Sequence, residues 1–138
     1  MPYRLKETLP DPQTYCSIRI ECELSPRTLE SATAALPRSI YGVSIIDENE
    51  KKVVGMGRII GDEFAFMYVV DQGLGKVIMT AIMDYVDKHA TKDCDVVLLA
   101  VGSAKHLYAK FGFNDTAPRT IAMRYQRDAP KDHRIYFR

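Results

Sequence analysis

The sequence predicts an α/β (α+β) domain built on a mixed, mostly antiparallel sheet with helices packed over it. Three observations carry this. Between Tyr41 and Asp71 three apolar, β-branched runs follow one another with short polar turns between them, the pattern of an antiparallel meander. Leu74, Val77, Ile78, Ala81, Ile82, Tyr85 and Val86, around and after Gly75, fall at the i, i+3, i+4, i+7 spacing of one helix face. After that helix Asp95 to Val101 is a nearly continuous apolar run, which reads as a buried central strand parallel to its neighbour across the helical crossover.

The remaining elements follow in order. Tyr3 to Thr8 is a short first strand, broken at Leu9-Pro10-Asp11-Pro12. Asp11 is suited to cap a helix and Pro12 to open it. From Tyr15 to Leu24 the alternation of Ile18, Ile20, Cys22 and Leu24 suits a strand, while Tyr15, Ile18 and Cys22 suit a helix; the cap favours the helix. Ser25-Pro26 is a second start signal, and Leu29, Thr33 and Leu36 run to a stop at Pro37. Tyr41 to Ile46 is a strand, Asp47 to Glu50 a turn, Val53 to Ile60 a strand, and Gly61-Asp62 a turn into the strand that ends at Asp71. Ser103 caps a short helix, Ala104 to Phe111, that Gly112 ends, and Thr120 to Tyr125 is a final strand.

A chain of 138 residues makes one domain, 1–138, with 46% hydrophobic and 27% charged residues, enough for a core without covalent staples. The formal net charge of +1 gives bulk electrostatics no case for nucleic acid or membrane. Cys16, Cys22 and Cys94 are an odd number without metal-type pairing and read as small buried hydrophobes in a reducing compartment. A polar start from Arg4 and the lack of any span-length apolar stretch predict a cytoplasmic protein without a signal peptide. His89, His106 and His133 share no metal-like spacing and read as surface residues; Met56, Met67, Met79, Met83 and Met123 read as core packing. The tail from Gln126 is a solvated basic segment, or an arm that docks a homodimer through Tyr136 and Phe137.

The chemistry concentrates where the third meander strand meets the long helix. A helix start presents N–H groups without intrahelical partners and the positive end of the helix dipole. Gly73 and Gly75 allow a ligand close approach there, so the junction suits an anion. It is not a P-loop, because Val70 and Val77 stand where that motif needs Gly and Ser or Thr. It is not a dinucleotide fingerprint either, because Ile78 stands where the third glycine belongs. A plain turn between strand and helix explains the glycines equally well.

Three stretches narrow this reading: Val53-Val54-Gly55-Met56-Gly57-Arg58, Gly73-Leu74-Gly75-Lys76, and Ala104-x-x-Leu107-Tyr108-x-Lys110-Phe111-Gly112-Phe113. With the order of elements, they resemble the GNAT superfamily of acyl-CoA-dependent N-acetyltransferases from about Tyr3 to Tyr125. The resemblance implies helices on both faces of the sheet and acetyl-CoA as acyl-donor cosubstrate. Its pyrophosphate would lie on the backbone of Gln72, Gly73, Leu74, Gly75 and Lys76, and its pantetheine arm against Tyr68, Val69 and Val70. A primary amine of a small molecule or peptide would attack the thioester directly, with Tyr108 as the general acid to the departing thiolate. Glu63 and Asp71 are the nearest carboxylates in sequence for the amine proton, though either can equally be a turn residue. Val70 replaces the Gln or Arg of the family's pyrophosphate signature, and the strand-to-helix connection is several residues short. These departures keep a second reading open, a catalytically degenerate GNAT-fold module that binds acyl-CoA weakly or serves as an interaction domain.

Overall fold

In the computed structural model residues 2–71 and 75–131 are described. Asp11 opens the first helix: its carboxylate accepts from the Thr14 N–H at 2.9 Å, and Pro12 occupies the first turn, where its missing N–H costs nothing. This cap resolves the ambiguous stretch as helix α1, Pro12–Glu21, after the four-residue strand β1, Tyr3–Lys6. Helix α2, Leu29–Ala35, starts three residues later than Ser25-Pro26 would place it. Thr28 is the cap, accepting from the Ser31 N–H at 3.1 Å, while the Ser25 hydroxyl is engaged by Arg19 and Arg27 instead. Pro37 lies in a short 3₁₀ turn, Leu36–Arg38, that ends the helical segment.

Strands β2 (Tyr41–Asp47), β3 (Lys52–Gly61) and β4 (Phe66–Val70) form the expected meander. The β3–β4 turn is built by Asp62, whose carboxylate accepts from the N–H groups of Phe64, Ala65 and Phe66 at 2.8–3.0 Å. Helix α3, Gly75–His89, crosses over to β5, Asp95–Leu98, which pairs parallel with β4. The sheet order is β1-β2-β3-β4-β5, antiparallel up to β4.

The strand register sorts side chains to two faces. Val43, Ile45, Ile59, Met67 and Val69 point to one and pack under Ile78, Met79, Ile82 and Val86 of α3. Burying each of those four helix side chains is worth roughly 1.5–3 kcal/mol, which makes α3 the main lid of the core. On this face Gly57 is a packing requirement, since a Cβ there would lie 2.5 Å from Ile78 Cγ2. The opposite face carries Met56, covered by Tyr15 and Ile18 of α1, Ala32 of α2, and Leu36. Helices therefore cover both faces.

Several sequence expectations are corrected. β5 is a four-residue strand at the edge of the sheet among the described residues, not a buried central one; Leu99 and Val101, which should have extended it, are exposed. Thr120 to Tyr125 forms no strand: Ile121, Met123 and Tyr125 alternate as a strand would, but among the described residues no neighbour hydrogen-bonds to them as a ladder, and all three are exposed. Val77 is exposed, because the apolar arc of α3 centres on Ile78, Met79 and Ile82 rather than one residue earlier. Met83 is half-buried and Met123 exposed, and the three cysteines are free thiols at intermediate exposure rather than buried. Leu74, His133, Tyr136 and Phe137 lie outside the described residues. No helix among the described residues is long and apolar enough to cross a membrane.

Candidate active site

The site is assembled at the end of β4. Pairing between β4 and β5 runs from Phe66–Asp95 to Val69–Leu98 and extends no further, so the two parallel strands stop pairing where β4 gives way to α3. Tyr68 and Val70 are half-buried on the α1 face of β4, while Val69 is buried on the α3 face. Gly75 begins α3 with φ +51, a left-handed conformation that a side chain strains, and Lys76 beside it is exposed. Gln72, Gly73 and Leu74, the other residues assigned to the anion, lie outside the described residues.

Helix α4, Ala104–Ala109, meets this junction. Leu107 Cδ2 lies 3.4 Å from the position a Cβ on Gly75 would take, so the start of α3 and the residue preceding Tyr108 are in van der Waals reach. The α4 helix is shorter than expected, and Ser103 makes no side-chain cap bond. Gly112, at φ +96, then reverses the chain so that Phe111 and Phe113 pack with Tyr108 against the α3-side core. Burial pushes the Tyr108 phenol above its ordinary value, which keeps it protonated at neutral pH. A cavity of about 770 Å³ opens on its other side, between β5, α4 and residues 113–122, with Tyr108 in its wall. His106, also in that wall, is exposed.

The two carboxylates are not equivalent candidates for the amine proton. Glu63 lies in the β3–β4 turn, at the end of β4 away from the start of α3, and accepts from the hydroxyl of Tyr85 near the far end of that helix at 2.9 Å. Asp71 is at the right end but is fully engaged. It is buried, at φ +62, and forms ion pairs with Arg19 and Arg58; the Tyr15 hydroxyl donates to it at 2.9 Å. The oxygens of Asp71 are taken up by these partners and Glu63 lies at the wrong end, so neither residue fits the role of general base.

This four-residue cluster is what sequence reasoning missed. Its members are separated by up to 56 residues in sequence, so no local spacing unites them. One signal was present: Arg19 stands four residues after Tyr15 on the face of α1 that also carries Ile18, and a cation on an apolar face needs a buried counter-charge. The register Arg58–Val70 then places the second arginine beside the residue preceding Asp71. Burial alone would push the Arg58 guanidinium down, but the Asp71 carboxylate outweighs it and holds the group above its ordinary value. No group of His, Cys, Asp and Glu suited to a metal ion occurs among the described residues.

No family model and no curated protein matches the sequence. Solved structures do. A protein of unknown function from meticillin-resistant Staphylococcus aureus, described as a probable acetyltransferase, is 32% identical over 90% of this chain and 98% of its own, with a TM-score of 0.83. A GNAT-family acetyltransferase from Streptococcus pneumoniae superposes with a TM-score of 0.68 at 19% identity, covering 91% of this chain and 99% of its own. An acetyltransferase, so assigned by prediction, from Clostridium acetobutylicum, solved with acetyl-CoA, gives 0.60 at 18% identity over 88% and 96%. The last two likenesses are of fold.

Proposed function

The chain belongs to the GNAT superfamily of acetyltransferases, and from that premise we propose that it moves an acetyl group from acetyl-CoA to a primary amine of a small molecule or peptide. The observation that supports this most directly is the closeness of Leu107 to the start of α3, its Cδ2 lying 3.4 Å from where a Cβ on Gly75 would be, which brings the helix of Tyr108 to that end of α3. The residues suit an acyl-CoA. Gly75 offers close backbone approach, Lys76 an exposed ammonium, and the first turn of α3 N–H groups that have no intrahelical partner. The β4 stretch Tyr68, Val69 and Val70 would lie along the pantetheine arm, and Gln72, Gly73 and Leu74 would complete the pyrophosphate cradle.

As cosubstrate the thioester supplies the activated acyl group; the protein's part is to hold it and to manage protons. Tyr108 donates its phenolic proton to the thiolate sulfur as the C–S bond breaks. Its raised pKa keeps that proton available across the neutral range. The amine proton leaves to water, since Asp71 is held in ion pairs and Glu63 is bonded to Tyr85.

Release of free CoA thiol, followed with a thiol-reactive dye over a panel of primary amines, tests the reaction. Amine-dependent release that falls in Tyr108→Phe supports it; release from no amine contradicts it. The second reading, a module that binds acyl-CoA without turnover, is favoured by the span of only four residues, 71–74, between β4 and α3. It predicts CoA binding with no thiol release under any amine.

A further inference from the structure

Asp71 sits one residue beyond β4 and four before Gly75, and it is tied to three other parts of the fold. Arg58 reaches it from β3 at 2.5 Å, and the same guanidinium donates to the Ser39 hydroxyl at 3.1 Å, between the 3₁₀ turn and β2. Tyr15 and Arg19 reach it from α1, and Arg19 also donates to the Ser25 carbonyl at 2.7 Å and to the Ser25 hydroxyl at 3.0 Å, in the α1–α2 connection. The side chains are nearly enclosed, with Asp71 3%, Arg19 8% and Arg58 11% exposed. Every buried polar side-chain atom among the described residues has a partner. Two cations against one carboxylate leave one positive charge in excess behind the turn.

We propose that Asp71 is a positioning residue for the donor site: clamped by Arg19, Arg58 and Tyr15, it fixes the end of β4 from which the chain passes to α3, and hence where the first N–H groups of α3 point. The inference rests on the acyl-CoA reading above. Its physical basis is the shortness of the connection. With three residues between Asp71 and Gly75, the chain has little slack to absorb a displaced Asp71. A misplacement of about 1 Å can cost a positioned reaction about two orders of magnitude in rate, and donor N–H groups turned off an anion loosen its hold in the same way. The clamp also joins the α1–α2 connection to the donor turn through a single side chain, Arg19. The excess positive charge behind the turn acts in the same direction as the α3 dipole and favours an anion there.

The test pairs two measurements on the full chain. Calorimetric titration with CoA compares the wild type, Asp71→Asn and Arg58→Lys, with Glu48→Gln as a control that removes the exposed Arg4–Glu48 pair at the far edge of the sheet. Hydrogen exchange then follows the amides of Met79 and Thr80 in α3 against those of β2 and β3. The expected result is that Asp71→Asn weakens CoA binding about tenfold or more while Glu48→Gln does not. In Asp71→Asn the α3 amides lose more protection than the β2 and β3 amides, which fall only with the overall stability. Unchanged CoA affinity in a folded Asp71→Asn would overturn the proposal, as would loss of protection shared equally by α3 and the strands. If Asp71→Asn does not fold, Arg58→Lys carries the same two readouts, because it keeps the charge and loses the fixed fork of the guanidinium. Absence of CoA binding in the wild type would instead refute the acyl-CoA reading, and the exchange comparison would then decide the positioning role by itself.

Discussion

The Tyr15 hydroxyl donates to Asp71 Oδ2 at 2.9 Å, joining α1 to the end of β4, and the Arg19 and Arg58 guanidiniums both lie within 6 Å of the Tyr15 ring centroid. The ring thus lies near both cations while its hydroxyl shares their carboxylate. Burial, and then the Asp71 charge, push the Tyr15 phenol above its ordinary value, so it stays a donor at neutral pH. Tyr15→Phe keeps the packing and loses the bond. It should cost about 1 kcal/mol by urea unfolding, the net worth of one buried hydrogen bond plus an acceptor already served by two arginines.

Asp71→Ala should be far more damaging. It leaves two guanidiniums buried without their counter-charge, and removal of one member of such a group costs about 3–5 kcal/mol. Urea unfolding of Asp71→Ala beside the double change Asp71→Ala/Arg19→Met checks the cause. Recovery of part of the loss in the double variant is expected, because one uncompensated charge is then gone.

Gly75→Ala probes the start of α3. At φ +51 an alanine costs about 1–2 kcal/mol in backbone strain, with Leu107 as an ordinary contact at 3.4 Å rather than a clash. The expected outcome is a modest fall in Tm with a larger fall in CoA affinity, measured on the same preparation.

Tyr108→Phe should lower kcat by about 10²–10⁴ with CoA affinity retained, the range for loss of a positioned general acid. The pH profile carries a sharper form of this. Because burial raises the Tyr108 pKa, the acid form persists to higher pH than a free phenol's, and the alkaline fall in wild-type kcat should lie above the ordinary value of 10.0.

Asp62 gives a pH-dependent stability. Bonds from the Phe66, Ala65 and Phe64 N–H groups hold its carboxyl below the ordinary 3.8. A depressed folded pKa means that the stabilisation is present above the unfolded value and is lost as pH falls through the folded one. The Tm gap between wild type and Asp62→Asn should therefore be full near neutrality and close below about pH 3.8.

What was legible in the sequence follows the range of the interactions involved. Asp11-Pro12, Gly61-Asp62 and the apolar arc of α3 are local signals, and each marks an element that the structure contains. The start of α2 was misplaced because Ser25-Pro26 has cap chemistry, yet Arg19 claims the Ser25 oxygens and Thr28 caps instead. Asp95 to Val101 and Thr120 to Tyr125 carry strand patterns, but pattern alone does not supply a hydrogen-bonding neighbour, and the edge of β5 has none beyond β4 among the described residues. At the site, Gly75 and Tyr108 were visible as motif residues, whereas the engagement of Asp71 depends on contacts spanning 13, 52 and 56 residues.

The central claim is that the short junction between β4 and α3 still binds an acyl-CoA. Calorimetric titration of the purified protein with acetyl-CoA, with CoA and ATP as controls, tests it most directly. Saturable binding of acetyl-CoA and CoA, and none of ATP, is expected. No heat of binding from either thioester or free CoA, with the protein shown to be folded, would contradict it and leave a GNAT fold without its donor site.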